Sequence, residues 1–164
     1  MPYWQLFYHA VWATKYRESL ISEEVEPAVY DLLRGKALAL GSTVFALNGM
    51  PDHVHMVVSL PPSLSVAFFI GQVKGVASTR INKSGLIGRP FFWQEEYGVL
   101  SFDAKRLPRY VGYVENQKTH HAKTSLISVL ERTGDKSSGD KPSGDKSPGD
   151  KSSGDDPPGD ESPG

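Results

Sequence analysis

The chain has 164 residues, no cysteine and a formal net charge of −1, which excludes disulfide frameworks and thiolate metal centres. The near-neutral total hides an asymmetry: residues 1–132 carry 14 Lys and Arg against 11 Asp and Glu, whereas residues 133–164 carry 4 against 8. A mildly basic body suits a polyanionic partner without requiring one.

Two parts are expected: a folded domain over 1–132, about the size that supports one core, and a disordered low-complexity tail over 133–164. The tail repeats in fives (GDKSS, GDKPS, GDKSP) and has no aromatic or aliphatic side chain. It therefore cannot offset the entropy of ordering. The N-terminal MPYWQLFYHAVW lacks the basic lead and long apolar run of a signal peptide, and no stretch approaches a membrane span. A cytoplasmic protein with no membrane partner is expected.

In chain order, Tyr3 to Ala13 is rich in aromatic and β-branched residues and predicts a first strand, with Thr14-Lys15-Tyr16-Arg17 as its basic exit. Ser22 is expected to cap a helix whose first turn holds Glu23 and Glu24. Val25, Ala28, Val29, Leu32, Leu33 and Leu40 recur at helical steps, and Gly41 is the stop. Thr43 to Leu47 predicts a second strand, Asn48 to Asp52 a turn, and His53 to Leu60 a third strand in hairpin with the second. Ser63 or Ser65 begins a second helix with Val66, Phe69, Ile70, Val73, Val76 and Ala77 on its apolar face. Tyr97 to Phe102 predicts a fourth strand, and Asp103 the cap of a last helix running to about His121. The order β-α-β-β-α-β predicts an α+β, ferredoxin-like sandwich followed by an additional C-terminal helix.

The third strand raises the chemical question. In HVHMVVSL, side chains alternate between faces, so His53 and His55 share one, spaced roughly 6.6–6.8 Å apart along the strand. Val54, Met56 and Val58 take the opposite, helix-covered face, which leaves the histidines on the face those two helices do not cover. Two imidazoles can bind one ion but leave it underfilled, so a third group must come from elsewhere. The alternative is a pair of half-exposed histidines with no ligand role. In the last helix, LPRYVGYVENQKTHH, Tyr113 and Gln117 are four apart and neighbours on one face. They flank the apolar stripe of Leu107, Tyr110, Val111 and Val114, as a surface-flanking pair would. His9, His120 and His121 read as structural. Asp52 closes the turn, and would also be a sensible partner for a ligating histidine.

The first-strand exit YHAVWATKYR, the turn and strand GMPDHVHMVVSLPPS, the approach WQEEYG and the helix YVENQKTHH occur in one order. Together they resemble the single-tyrosine HUH transposases of small insertion sequences and their repeat-associated domesticated relatives. The resemblance spans nearly all of residues 1–121. It implies a ferredoxin-like fold, an obligate homodimer, and single-stranded DNA with hairpin ends as substrate. Carried over position by position, it makes Tyr113 the nucleophile, which would form a covalent 5′-phosphotyrosine. His53, His55 and Gln117 become ligands of Mg²⁺ or Mn²⁺, although two histidines would equally accept zinc or nickel. No organic cofactor is expected. Pro108 and Gly112 before the tyrosine depart from the good helix formers usual in the family.

For DNA grip, Lys15, Arg17, Lys74 and Arg80 are candidate phosphate contacts, each equally readable as a solvated surface charge. Phe91, Phe92 and Trp93 read as core or dimer-interface residues, with base stacking as their other use. Two rival readings stand beside the transposase: a domesticated DNA-nicking relative, and a non-catalytic single-stranded nucleic-acid-binding module of the same fold. Against the module, the strands lack a ribonucleoprotein aromatic signature.

Overall fold

The computed structural model describes residues 3–122, 131 and 133; the rest of the repeat tail lies outside them. The strands are β1 (Phe7–Ala13), β2 (Thr43–Met50), β3 (His53–Ser59) and β4 (Gly98–Phe102). The helices are α1 (Glu26–Ala39), α2 (Val66–Ser84), α3 (Leu107–Glu115) and α4 (Gln117–Ala122). The sheet order is β2-β3-β1-β4, with every neighbouring pair antiparallel. This is the ferredoxin-like sandwich that the element order predicts.

The larger core lies under α1 and α2. Strand alternation sends Ala10 and Trp12 of β1 and Val54, Met56 and Val58 of β3 to that face, where they meet Val29, Leu33, Phe69, Ile70, Val73 and Ala77. Ser65 caps α2 by accepting a hydrogen bond on Oγ from the Phe68 N–H at 3.1 Å, and Gly85 ends it in the left-handed region at φ 67°. α1 begins later than Ser22 implies. The Ser22 carbonyl accepts from the Val25 and Glu26 N–H groups, making a leading turn, and the helix proper starts at Glu26 with a proline in its first turn. Gly41, at φ 84°, stops the chain as expected.

The second face of the sheet is not left open. Ala46, Val57 and Val114 form a smaller core there, joined by Phe102, Leu107, Tyr110 and Val111. α3 thus packs on β2 and β3, and α4 on β2. The histidines on this face are buried accordingly, His53 at 2% exposed and His55 at 0%.

The single last helix predicted from Asp103 is in fact three pieces. Asp103 caps a 3-10 turn, Ala104–Arg106, with Oδ1 accepting from the Arg106 N–H at 3.2 Å. α3 follows, and the chain breaks at Asn116 (φ −98°, ψ 20°) before α4. The break has a local cause. Gly112 and Asn116 both have low helix propensity, and the Gly112 carbonyl accepts from both the Asn116 N–H at 3.1 Å and its side-chain Nδ2 at 2.8 Å.

Candidate metal centre and active site

The turn Pro51-Asp52 delivers His53 at the start of β3, and β2 runs close beside it. Gly49 makes this approach possible: a Cβ there would collide with the His53 carbonyl oxygen. A larger residue would push β2 off β3 just where the histidines begin.

Each histidine is oriented through its Nδ1. Asp52 Oδ1 lies 2.7 Å from His53 Nδ1, and His9 Nε2 lies 2.9 Å from His55 Nδ1. With Nδ1 acting as donor in both rings, both Nε2 lone pairs are free to face the same point. Both Nε2 atoms are fully buried and lack a well-formed hydrogen bond among the described residues. A buried polar atom without such a partner is costly, and a cation between two of them removes that cost.

Two residues complete the cluster that sequence reasoning did not assign to it. Glu131 Oε2 lies 3.4 Å from His53 Nε2 and 3.2 Å from His55 Nε2. His121 Nε2 lies 3.7 Å from the same oxygen. One ligand atom from each of His53, His55, His121 and Glu131 falls within 4.8 Å of the other three. Three imidazoles and a carboxylate are a donor set that can hold a divalent ion. His121 thus joins the group: it stands one helical turn beyond Gln117, and its Nε2 is 3.1 Å from Gln117 Oε1. The spacing Tyr-x-x-x-Gln-x-x-x-His was the available signal. Glu131 had none.

Tyr113 and Gln117 are not surface residues. Tyr113 is 5% exposed and Gln117 0%, because α3 and α4 turn them down onto the sheet. The Tyr113 hydroxyl donates to Glu131 Oε1 at 2.6 Å, and Gln117 Nε2 donates to the same oxygen at 3.3 Å. The Tyr113 ring centroid is 6.2 Å from that of His55. Tyrosine, glutamine, three histidines and a carboxylate thus converge within one chain.

The electrostatics follow from burial and from that carboxylate. Burial opposes charge on Glu131, but the imidazoles of His53 and His55 against one oxygen and the Tyr113 hydroxyl on the other outweigh it and hold the carboxyl far below its ordinary range. Burial likewise works against a proton on His53, yet Asp52 and Glu131 together raise its pKa. On His55 burial wins and, helped by the neighbouring His53 and His121, lowers the pKa. His9, buried beside His55, is held down to about 3.

A stability test follows from His9. Its ordinary pKa is 6.5 and its folded value about 3, so between those limits the unfolded chain binds a proton that the folded chain refuses. The associated stability is intact above pH 6.5 and is lost progressively as pH falls toward 3, by up to about 4 to 5 kcal/mol. Urea unfolding from pH 7 to pH 4 should show wild type losing stability more steeply than His9→Gln. Parallel curves would mean His9 does not titrate this way.

The remaining candidates separate by position. Lys15 and Arg17 sit on the turn after β1, beside the site. Arg17 Nε is 3.3 Å from Asp52 Oδ2 and its Nη2 is 3.5 Å from His53 Nδ1. Lys74 is placed differently from a surface phosphate contact. Its Nζ donates to the carbonyls of Gln94, Glu95 and Glu96 at 2.6, 3.1 and 3.3 Å, and burial lowers its pKa to about 8. Arg80 lines a cleft between α1 and α2 with Asp31 and Lys36, on the side of the sheet away from the histidines. Phe91 and Trp93 are core residues, but Phe92 is half exposed.

The matching family model is that of the IS200-like transposases, over residues 2–117. The chain belongs to this family. It is 31% identical over 120 residues to the ISDra2 transposase TnpA of Deinococcus radiodurans, covering 70% of this chain and 85% of that one. It is 35% identical over 75 residues to the transposase of insertion sequence IS200 of Salmonella typhimurium, 46% of this chain and 49% of that one. Among solved structures, a putative transposase from D. radiodurans superposes with a TM-score of 0.57 at 30% identity, covering 71% of this chain and 95% of that one. A REP-associated tyrosine transposase bound to a REP hairpin superposes with a TM-score of 0.53 at 14% identity, covering 79% and 78%; this second likeness speaks for the fold. Among the described residues of this IS200-like transposase, no helix is long and apolar enough to cross a membrane.

Proposed function

We propose that this transposase cleaves and rejoins single-stranded DNA at hairpin ends through a covalent 5′-phosphotyrosine on Tyr113. The observation that carries the reading is the shared carboxylate. One oxygen of Glu131 accepts from the Tyr113 hydroxyl while the other sits against both histidine Nε2 atoms, so the phenol lies beside the metal-capable cluster. His53 and His55 would hold Mg²⁺ or Mn²⁺ with Glu131, His121 or Gln117, and a bound divalent ion would supply charge stabilisation on the phosphate under attack.

The chain's own residues prepare the nucleophile. Ionising an ordinary tyrosine at pH 7 costs about 4 kcal/mol. The ionised Glu131 carboxylate can only accept, so it fixes the direction of the phenol proton. The phenol O–H bond breaks with its proton leaving along the hydrogen bond to Glu131. The Tyr113 oxygen forms a bond to phosphorus, the P–O3′ bond breaks, and the departing oxygen takes a proton from water to become a 3′-hydroxyl. The phosphotyrosine is a phosphodiester, so the same bond can be passed to another strand end. That reversibility favours tyrosine over water for a joining enzyme.

Two further considerations support the reading. The solved relative bound to a REP hairpin takes a hairpin ligand. The sheet face that a single-strand RNA-binding module would display is covered here by α3, which disfavours the non-catalytic rival. For the grip on DNA, Lys15 and Arg17 are better placed than Lys74 and Arg80. The homodimer implied by the family resemblance is retained as part of the proposal, with each catalytic cluster drawn from one chain.

The test is covalent capture. A hairpin oligonucleotide labelled at its 3′ end should transfer label to the protein on a denaturing gel with Mg²⁺ or Mn²⁺ and not in chelator. An unlabelled protein band under all metals would end the proposal.

A further inference from the structure

The turn after β1 carries a feature that the cleavage chemistry does not use. Tyr16 and Arg17 both adopt left-handed backbone, at φ 58° and 51°, a conformation that non-glycine residues avoid. The turn is pinned on both sides. Thr14 N–H donates to the Asp52 carbonyl at 2.8 Å, Lys15 N–H to the Phe92 carbonyl at 2.9 Å, and Thr14 Oγ1 to the Glu18 carbonyl at 2.6 Å. The strain aims the Tyr16 ring outward, where it is 81% exposed. Backbone strain with no packing return is found where the strained residue has a task.

Phe92, 52% exposed, lies across from it. The Lys15 ammonium sits between the two, 5.4 Å from the Tyr16 ring centroid and 5.8 Å from that of Phe92. The cleft beside them has a volume of about 700 Å³ and is lined by Lys15, Tyr16, Arg17, Phe92 and the 93–95 loop, within the size range of ligand sites. One end leads to the catalytic cluster, because Arg17 reaches both Asp52 and His53. Two exposed rings offer flat apolar faces, and two cations beside them offer phosphate contacts. That pairing matches an unpaired nucleotide better than a peptide or a lipid: the base takes a ring face and the backbone takes the charges.

We propose that Tyr16 and Phe92, with Lys15 and Arg17, form a stacking site for an unpaired base of the strand next to the phosphate that Tyr113 attacks. The inference rests on the single-stranded DNA reading above but requires no cleavage. The cleft would read the single-stranded flank, leaving the hairpin stem to other surfaces.

The experiment measures binding of the full chain in chelator, so that chemistry plays no part. A hairpin with a single-stranded flank carries 2-aminopurine at successive flank positions, and a matched hairpin carries abasic sites there instead. Wild type should quench fluorescence at one or two adjacent positions. Tyr16→Gly, which removes the ring and relaxes the left-handed backbone, should abolish that quench and weaken binding between about 5- and 100-fold. The same variant should bind the abasic hairpin as wild type does, and Tyr16→Trp should restore both readouts. Phe92→Ala should reproduce the loss if the two rings act together. Equal loss on the abasic hairpin, unchanged quenching in Tyr16→Gly, or a change only in sedimentation that assigns the patch to protein contact would each overturn the inference. Cleavage by Tyr16→Gly with normal flank binding would sink this site while leaving the proposed reaction standing; flank stacking without any covalent adduct would do the reverse.

Discussion

Replacing Tyr113 by Phe should eliminate the covalent protein–DNA adduct, by a factor of at least about 1,000, while leaving hairpin binding close to that of wild type. The ring would still fill the space between α3 and β3, since only the hydroxyl is removed and the neighbouring Val114 core is untouched. What is lost is the oxygen that donates to Glu131 at 2.6 Å. Glu131 Oε1 keeps the Gln117 amide as a partner at 3.3 Å, so the carboxylate is not stranded and the cluster should hold its shape. Tyr110 is the other phenol on α3, but its ring stacks on Phe102 at 4.2 Å between centroids, on the apolar side of the helix. Labelled protein recovered from Tyr113→Phe, followed by its loss in Tyr110→Phe, would transfer the nucleophile to Tyr110. Label lost together with hairpin affinity would instead mean that the hydroxyl serves binding.

The fold was legible in the sequence because it rests on local periodicity, which also set the faces of half of the candidate cluster. Alternation in HVHMVVS placed His53 and His55 on one face and Val54, Met56 and Val58 on the other, as found. Helical spacing put Tyr113 beside Gln117. The burial of these two residues was not legible, since α3 alone reads as amphipathic with Tyr113 on the flank. Only the docking of that helix over β2 and β3 encloses it. His121 extends the same spacing by one turn but became visible only once the break at Asn116 had aimed α4. Glu131 depends on where the chain returns after α4, a long-range contact with no periodic signature. Lys74 failed as a surface cation for a similar reason: nothing local to α2 reveals that residues 94–96 bring three carbonyls to its ammonium. Local pattern therefore set which face each side chain takes. Tertiary return decided which of them meet.

Removing one imidazole of the strand pair should be the most damaging change to metal binding. With His55→Ala, Mn²⁺ affinity measured by calorimetry or by the Mn²⁺ electron spin resonance signal should fall by more than about 100-fold, beyond the 10- to 100-fold typical for groups that merely support a ligand. Two further variants rank the remaining donors. Glu131→Gln keeps the shape and removes the charge. Gln117→Ala removes the amide that borders the cluster without touching either histidine directly. A larger loss for Glu131→Gln would make the carboxylate the third ligand, and a larger loss for Gln117→Ala would make it the amide. The pH dependence has a definite sign. His53 holds its proton above the ordinary imidazole range because of Asp52 and Glu131, and a ligating imidazole must give that proton up. Mn²⁺ affinity should therefore rise from pH 6 to pH 8 with release of about one proton, and Asp52→Asn, which weakens the hold on that proton, should flatten the rise. Affinity indifferent to pH, together with undiminished binding in His55→Ala, would place the ion somewhere other than between these rings.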